Sequence, residues 1–390
     1  MWYGRIAAIV VGALNVTDTV GAVPRPRAES ATPRIDCDAH NLPMLDDMTP
    51  HMSERWRRYL ETFGVRTPTE MGIVRPRWMG ARSDSWSPDG RAPGNDPEFM
   101  LHQLVDRYDL DCVILNNVVM QVQAYNGGNQ PQELTNAIMH AANAWTAESW
   151  LALDDRYYAS ICVPCEDAAS ALAELERWVD NDRFVQVLLP FRMARPLGHR
   201  KYRPLLRALA ELGMPLAMHP GNAGNLLLSG AGWPSYYYED HNNLPQALPT
   251  HMASLVCEGV FEELPELKVV ALETGWSWVS PFLWRLDRTW RQLEDEVPEV
   301  RRPPSESIRE HFWFATQPME EPFRREQFAE IIEVFGQPDR LMFSSDYPHW
   351  DFDAPDEALP ATVDDELRSA IIGGNAHALY WGASTEASDG

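Results

Sequence analysis

Leu341-Met342-Phe343-Ser344-Ser345-Asp346-Tyr347-Pro348-His349 reads as a buried strand that ends in a carboxylate. Leu341, Met342 and Phe343 are apolar, Ser344 and Ser345 are small, and Pro348 cannot continue a hydrogen-bonded ladder. An Asp at the end of an apolar strand is costly to desolvate unless a cation, a cluster of backbone amides or a metal meets it. The alternative for Asp346 is a turn or helix N-cap. What the other strands end in decides between the two.

Seven more short apolar runs precede this one, over 34–38, 112–116, 158–163, 184–189, 214–219, 268–273 and 311–316. Between them, apolar residues three and four apart predict helices over 98–108, 132–153, 166–179, 202–212, 253–264, 279–293, 324–335 and 365–380. Nearly all-apolar strands alternating with helices indicate a parallel sheet covered by helices, and eight of them favour an α/β fold of the closed (β/α)8 TIM-barrel type. No GxGxxG follows the first strand, which argues against a dinucleotide fold. Two connections are too long for simple βα loops. Residues 43–95 follow the first strand and carry Trp56, Trp78 and Trp86; residues 221–250 follow the fifth and carry Trp233, Tyr236, Tyr237, Tyr238 and His241. In a barrel both rise over the C-terminal face, as lids or substrate walls, or as structural insertions.

The chain's 390 residues suffice for one large α/β domain, taken here as 34–382, between a leader or linker over 1–33 and a tail over 383–390. A net charge of −24 argues against nucleic acid and against an anionic membrane as partners. Five scattered cysteines are no disulfide framework, and Cys162 and Cys165, although spaced as CxxC, read as buried thiols at a strand end. Arg5 and the apolar run 6–14 resemble a weak signal peptide, but the run is too short to span a bilayer. A disordered leader and a cytoplasmic protein are the expectation, and the expected assembly is a homo-oligomer, a dimer.

Read together, the strand ends favour a metal. The first ends in Asp38-Ala39-His40, the fifth in His219, the sixth in Glu273 and the eighth in Asp346, with His349 beyond it. Alternate residues of a strand point the same way, so Asp38 and His40 can converge on one point in the barrel mouth. Mixed carboxylate and imidazole suit Zn²⁺ or Mn²⁺. A lone strand-end His is ordinarily a satisfied structural residue; ligand-type residues at several matching ends are not a packing pattern.

Ile35-Asp36-Cys37-Asp38-Ala39-His40, Met218-His219-Pro220-Gly221-Asn222, Ala271-Leu272-Glu273-Thr274-Gly275-Trp276-Ser277-Trp278 and Ser344-Ser345-Asp346-Tyr347-Pro348-His349 resemble the signatures of amidohydrolase-related proteins. The branch in question includes the aminocarboxymuconate semialdehyde decarboxylases and aromatic acid decarboxylases. The resemblance runs from about residue 34 to 381. It implies a distorted TIM barrel with one divalent metal, Zn²⁺ first and Mn²⁺ second, held by Asp38, His40, His219 and Asp346. Glu273 departs from the family pattern, because the decarboxylases typically carry a His at the end of strand six.

The implied activity is decarboxylation of a small aromatic or unsaturated carboxylic acid. The alternative is hydrolysis of an ester, lactone or amide by metal-bound hydroxide, and a third reading is a barrel that has lost catalysis and serves as a binding protein. Glu273 is the candidate general acid/base if burial near Trp276 and Trp278 raises its pKa, or else it orients His219. His349 is a base or a brace for Asp346. Arg192, Trp276 and His251 are candidates for holding the substrate, Arg192 through a bidentate pair with a carboxylate or else as a plain surface residue.

Overall fold

The computed structural model describes residues 32–63, 80–120, 131–221 and 229–382. The proposed tail, nearly all of the proposed leader, and Trp78 lie outside these. Eight parallel strands run in sequence order: β1 (Ile35–Ala39), β2 (Cys112–Leu115), β3 (Tyr157–Cys162), β4 (Phe184–Pro190), β5 (Leu216–His219), β6 (Val269–Ala271), β7 (Phe312–Ala315) and β8 (Leu341–Met342). Every strand residue is buried, as expected where both faces of a sheet are covered. Alternation splits the apolar residues in two. Val113, Leu115, Val187, Leu189 and Phe314 belong to one apolar layer, and their neighbours Ile114, Leu188, Ala217, Val270 and Met342 to another.

The ring closes where the last strand meets the first. The Cys37 amide donates to the Phe343 carbonyl at 3.0 Å, Asp346 to Asp38 at 2.8 Å, and His40 to Tyr347 at 2.7 Å. Ladder geometry in β8 covers only Leu341 and Met342, so the strand expected over 341–346 is shorter; its remainder, 343–346, is tied to β1 by those single bonds. The chain's last helical stretch, Asp365–Ser369, Ala370–Gly374 and Asn375–Trp381, seals this seam, with the Phe343 amide donating to the Ile371 carbonyl at 2.9 Å.

The predicted helices form with local differences that have local causes. The expected helix over 253–264 is two, Leu248–Cys257 and Val260–Glu263, because Gly259 takes a left-handed φ of +66° between them. The helix expected from 166 starts at Ala168, where the Asp167 carboxylate accepts the Ser170 amide. The helix expected from 324 starts at Gln327. The first insertion contains Leu45–Met48 and Glu54–Phe63, and the second contains Tyr237–Asn243, none of which the apolar periodicity marked. Among the described residues no helix is long and apolar enough to cross a membrane.

The seam also sets a steric condition. A Cβ added at Gly373 would lie 1.7 Å from the Pro33 carbonyl oxygen and 2.7 Å from its carbon, both backbone atoms leading into β1. Gly373→Ala is therefore expected to cost about 1–3 kcal/mol of stability, measured as a lower urea midpoint. A wild-type midpoint would show that the terminal helix can shift off β1 at no cost.

Candidate metal centre and active site

Asp38 and His40 lie on and just past β1, His219 ends β5, and Asp346 follows β8. All four are buried, and one ligand atom from each falls within 4.8 Å of all the others. Each side chain is aimed by a second contact. The Asn116 side-chain amide donates to Asp38 Oδ1 at 2.8 Å. His40 Nδ1 donates to the Asn116 carbonyl at 2.9 Å, which turns Nε2 toward Asp346 Oδ1 at 2.7 Å. His219 Nδ1 donates to the Pro220 carbonyl at 2.6 Å, so its Nε2 carries the lone pair and faces the cluster.

The electrostatics are those of a site built for positive charge. Burial pushes Asp38 up to about 7, against the pull of His40. Burial also opposes charge on His40, but Asp38 and Asp346 beside it prevail and raise it to about 9. Burial and the neighbouring His40 hold His219 well below its ordinary value, as a neutral imidazole. Burial works against ionised Asp346 too, yet His349 and His40 hold it well below the usual carboxylate range. Among the described residues, neither Asp38 Oδ2 nor His219 Nε2 makes a hydrogen bond of good geometry, although both are buried and they stand 3.6 Å apart. Buried polar atoms are rarely left so. A divalent cation would satisfy both, and two carboxylates with two imidazoles are a donor set such an ion takes.

Glu273 follows β6 with its Oε2 3.1 Å from His219 Nε2, and its Oε1 is 4.0 Å from His241 Nε2. Its backbone φ is +50° and that of Asp346 is +59°, left-handed values that cost a non-glycine residue of order 1 kcal/mol each and cluster where function holds them. His349 donates through Nδ1 to Asp346 Oδ1 at 2.7 Å and its ring lies 4.7 Å from that of His40.

Three predicted substrate residues stand elsewhere. Trp276 is fully buried against Phe328 and Phe335, so it packs the outer layer and is no wall for Glu273. His251 uses both ring nitrogens on backbone, accepting from Leu197 at 3.0 Å and donating to Phe191 at 2.6 Å, which fastens the loop after β4 to helix Leu248–Cys257. Arg192 is partly buried and donates to the Gly221 carbonyl at 2.9 Å, with Asp240 3.4 Å away. It ties the start of the second insertion to Asp240 on helix Tyr237–Asn243.

Four residues join the site beyond those given a ligand, catalytic or substrate role from the sequence, which places His241 only within the second insertion and Gln317 only at a polar strand end. Asn116, which aims Asp38 and His40, follows directly on β2, and the same reasoning about strand ends reaches it. Gln317, just after β7, donates to Asp346 Oδ2 at 3.3 Å and to Asp351 Oδ2 at 3.0 Å. Asp351 in turn lies 2.9 Å from His241 Nε2. His241 arrives from an insertion, where no periodic pattern announces which side chain turns inward.

Known proteins share this architecture. The chain is 26% identical over 294 residues to gamma-resorcylate decarboxylase of Rhizobium sp. (strain MTP-10005), a match covering 71% of this chain and 85% of that one. An amidohydrolase from Mycobacterium avium subsp. paratuberculosis K-10 superposes with a TM-score of 0.69 at 22% identity, over 90% of this chain and all of the other. A dihydroxybenzoic acid decarboxylase from Polaromonas sp. JS666, solved with manganese and 2-nitroresorcinol, superposes with a TM-score of 0.60 at 21% identity, over 90% of this chain and 97% of its own. The family model described as Amidohydrolase matches residues 35–381, from β1 to the end of the last helix, and this chain belongs to that family.

Proposed function

We propose that this protein is a metal-dependent decarboxylase of a small aromatic carboxylic acid. The observation that carries the reading is the buried Asp38, His40, His219 and Asp346 cluster with Glu273 3.1 Å from His219. The 26% identity to a gamma-resorcylate decarboxylase supports aromatic acids as the substrate class. Asp38, His40, His219 and Asp346 would hold the ion. Zn²⁺ suits the imidazoles, whereas the two carboxylates suit Mn²⁺, which the Polaromonas relative contains. When bound, such a cation supplies positive charge to anchor the substrate carboxylate and a neighbouring oxygen.

The chain's own residues do the rest. Asn116 and the Pro220 carbonyl keep Asp38 and His219 aimed, and His349 braces Asp346. Glu273, buried at the inner edge of the mouth, gives its carboxyl proton to the ring carbon as the bond to CO₂ breaks. The electron pair of that bond becomes the new C–H bond, and Glu273 is left ionised. Tyr237 and Trp350, each in ring contact with His241, form with it an aromatic wall beside Glu273 that suits a planar substrate.

The purified protein, assayed with a panel of hydroxybenzoates, is expected to release CO₂. Removal of divalent metal should abolish that release and added Mn²⁺ should restore it. Hydrolysis of lactones or amides without CO₂ would replace this reading with a hydrolase. Glu273→Gln is expected to keep its metal while turnover drops by about 10²–10⁴-fold. Simultaneous loss of metal would make Glu273 a support for His219 instead of the proton donor.

A further inference from the structure

The interior of a barrel of this kind is ordinarily filled by branched apolar side chains. Here three neutral polar residues stand in it, one from each of three neighbouring strands: Asn116 just after β2, Ser160 on β3 and Gln186 on β4. All three are buried. Alternation gives Ser160 the face of β3 that carries Tyr158 and Cys162, and Gln186 the face of β4 that carries Leu188, in the apolar layer that includes Ala217, two residues before His219. Polar groups so buried cost stability unless each one is met. These are met, and the bonds run in one direction. The Asn116 side-chain amide donates to Asp38 Oδ1 at 2.8 Å and to the Cys37 carbonyl at 3.0 Å. Its Oδ1 must then be met by donors, and these are Ser160 Oγ at 2.5 Å and Gln186 Nε2 at 3.2 Å. Gln186 Nε2 also donates to Ser160 Oγ at 2.9 Å. That turns Gln186 Oε1 away from the site, where the Tyr380 hydroxyl donates to it at 2.7 Å. Burial pushes this hydroxyl well above the usual phenol range, so it keeps its proton. Tyr380 lies on helix Asn375–Trp381, so the polar chain joins the end of the sequence to the metal cluster.

We propose that Tyr380 is a positioning residue for the metal: through Gln186 and Asn116 its hydroxyl holds the Asp38 carboxylate in the rotation that presents Oδ2 to the ion. The proposal rests on the metal centre and not on the reaction run there. Without the hydroxyl, Gln186 Oε1 loses its Tyr380 donor in a buried position. Turning the Gln186 amide over would place its oxygen against Asn116 Oδ1, acceptor against acceptor. Either outcome loosens the hold of Asn116 on Asp38 Oδ1, and with it the placing of Oδ2 beside His219 Nε2. Tyr380 acts through two other side chains and touches neither the ion nor the substrate.

The test uses the full-length protein, stripped of metal by a chelator and titrated with Mn²⁺ alone, the free ion being followed by its electron paramagnetic resonance signal. Tyr380→Phe keeps the ring and is expected to bind Mn²⁺ about tenfold more weakly, the low end of the loss seen when support behind a metal ligand is removed. Gln186→Met should lose about as much. In the double variant the hydroxyl has nothing left to act through, so affinity should stay within about twofold of Gln186→Met alone. A purely structural Tyr380 would move the urea midpoint of the metal-free protein without this dependence on Gln186. Mn²⁺ affinity within about twofold of wild type in Tyr380→Phe, or losses that multiply to about a hundredfold in the double variant, overturns the proposal. If Tyr380→Phe does not fold, Gln186→Met decides: an about tenfold loss supports the proposal, and wild-type affinity overturns it. A wild type that binds no Mn²⁺ overturns the metal centre and the role of Tyr380 with it, whereas failure to release CO₂ overturns the decarboxylase reading alone.

Discussion

Two carboxylates, Asp38 and Asp346, meet at a point with no access to water, and the rest of the molecule is arranged to make that tolerable. Like charges so buried repel and are poorly solvated. They are brought together by backbone, because the Asp346 amide donates to the Asp38 carbonyl at the seam between first and last strands. The terminal helix packs over that seam through Ile371 and Gly373. Beneath Asp38 a chain of buried hydrogen bonds runs through Asn116, Ser160 and Gln186 to the Tyr380 hydroxyl, so the same terminal helix also supports the Asp38 side chain. Barrel closure and ligand geometry are therefore one interaction. A change that loosens the seam disturbs the site as well.

Much of this was legible in the sequence, for a physical reason. Strands covered on both faces must be apolar along their whole length, so a ligand-type residue at the end of one stands out. That contrast located Asp38, His40, His219, Glu273 and Asp346, and it identified eight strands and their order. It works for Asn116 too, where an amide was passed over because it is neither charged nor an imidazole. The same contrast fails outside the strands. Trp276 sits one turn past Glu273 in sequence, yet a left-handed Gly275, against Glu320, turns the chain so that the indole enters the outer layer. His251 and Arg192 carry the chemistry of substrate ligands but are spent on holding loops. His241 depends on how an insertion folds back over the mouth, a tertiary event without a local pattern.

The departure at Glu273 acquires a structural meaning from its surroundings. Its left-handed backbone points a carboxylate at His219, and an imidazole from the second insertion stands on its outer side. An acid and an imidazole are thus both present beside the cluster, supplied by different segments of chain. Arg192, from the loop after β4, holds the second insertion at two points, Gly221 just after β5 and Asp240 beside His241. The second insertion is anchored to the barrel at the residues that border the chemistry.

The account stands on a single cation shared by Asp38, His40, His219 and Asp346. Anomalous diffraction from crystals of the protein, collected on either side of the manganese and zinc absorption edges, tests this directly. The predicted result is one peak within bonding distance of Asp38 Oδ2 and His219 Nε2, which make no hydrogen bond among the described residues. A cation bound elsewhere, or a fully metal-supplied crystal in which His40 keeps its hydrogen bond to Asp346 and no peak lies between the four side chains, would contradict it.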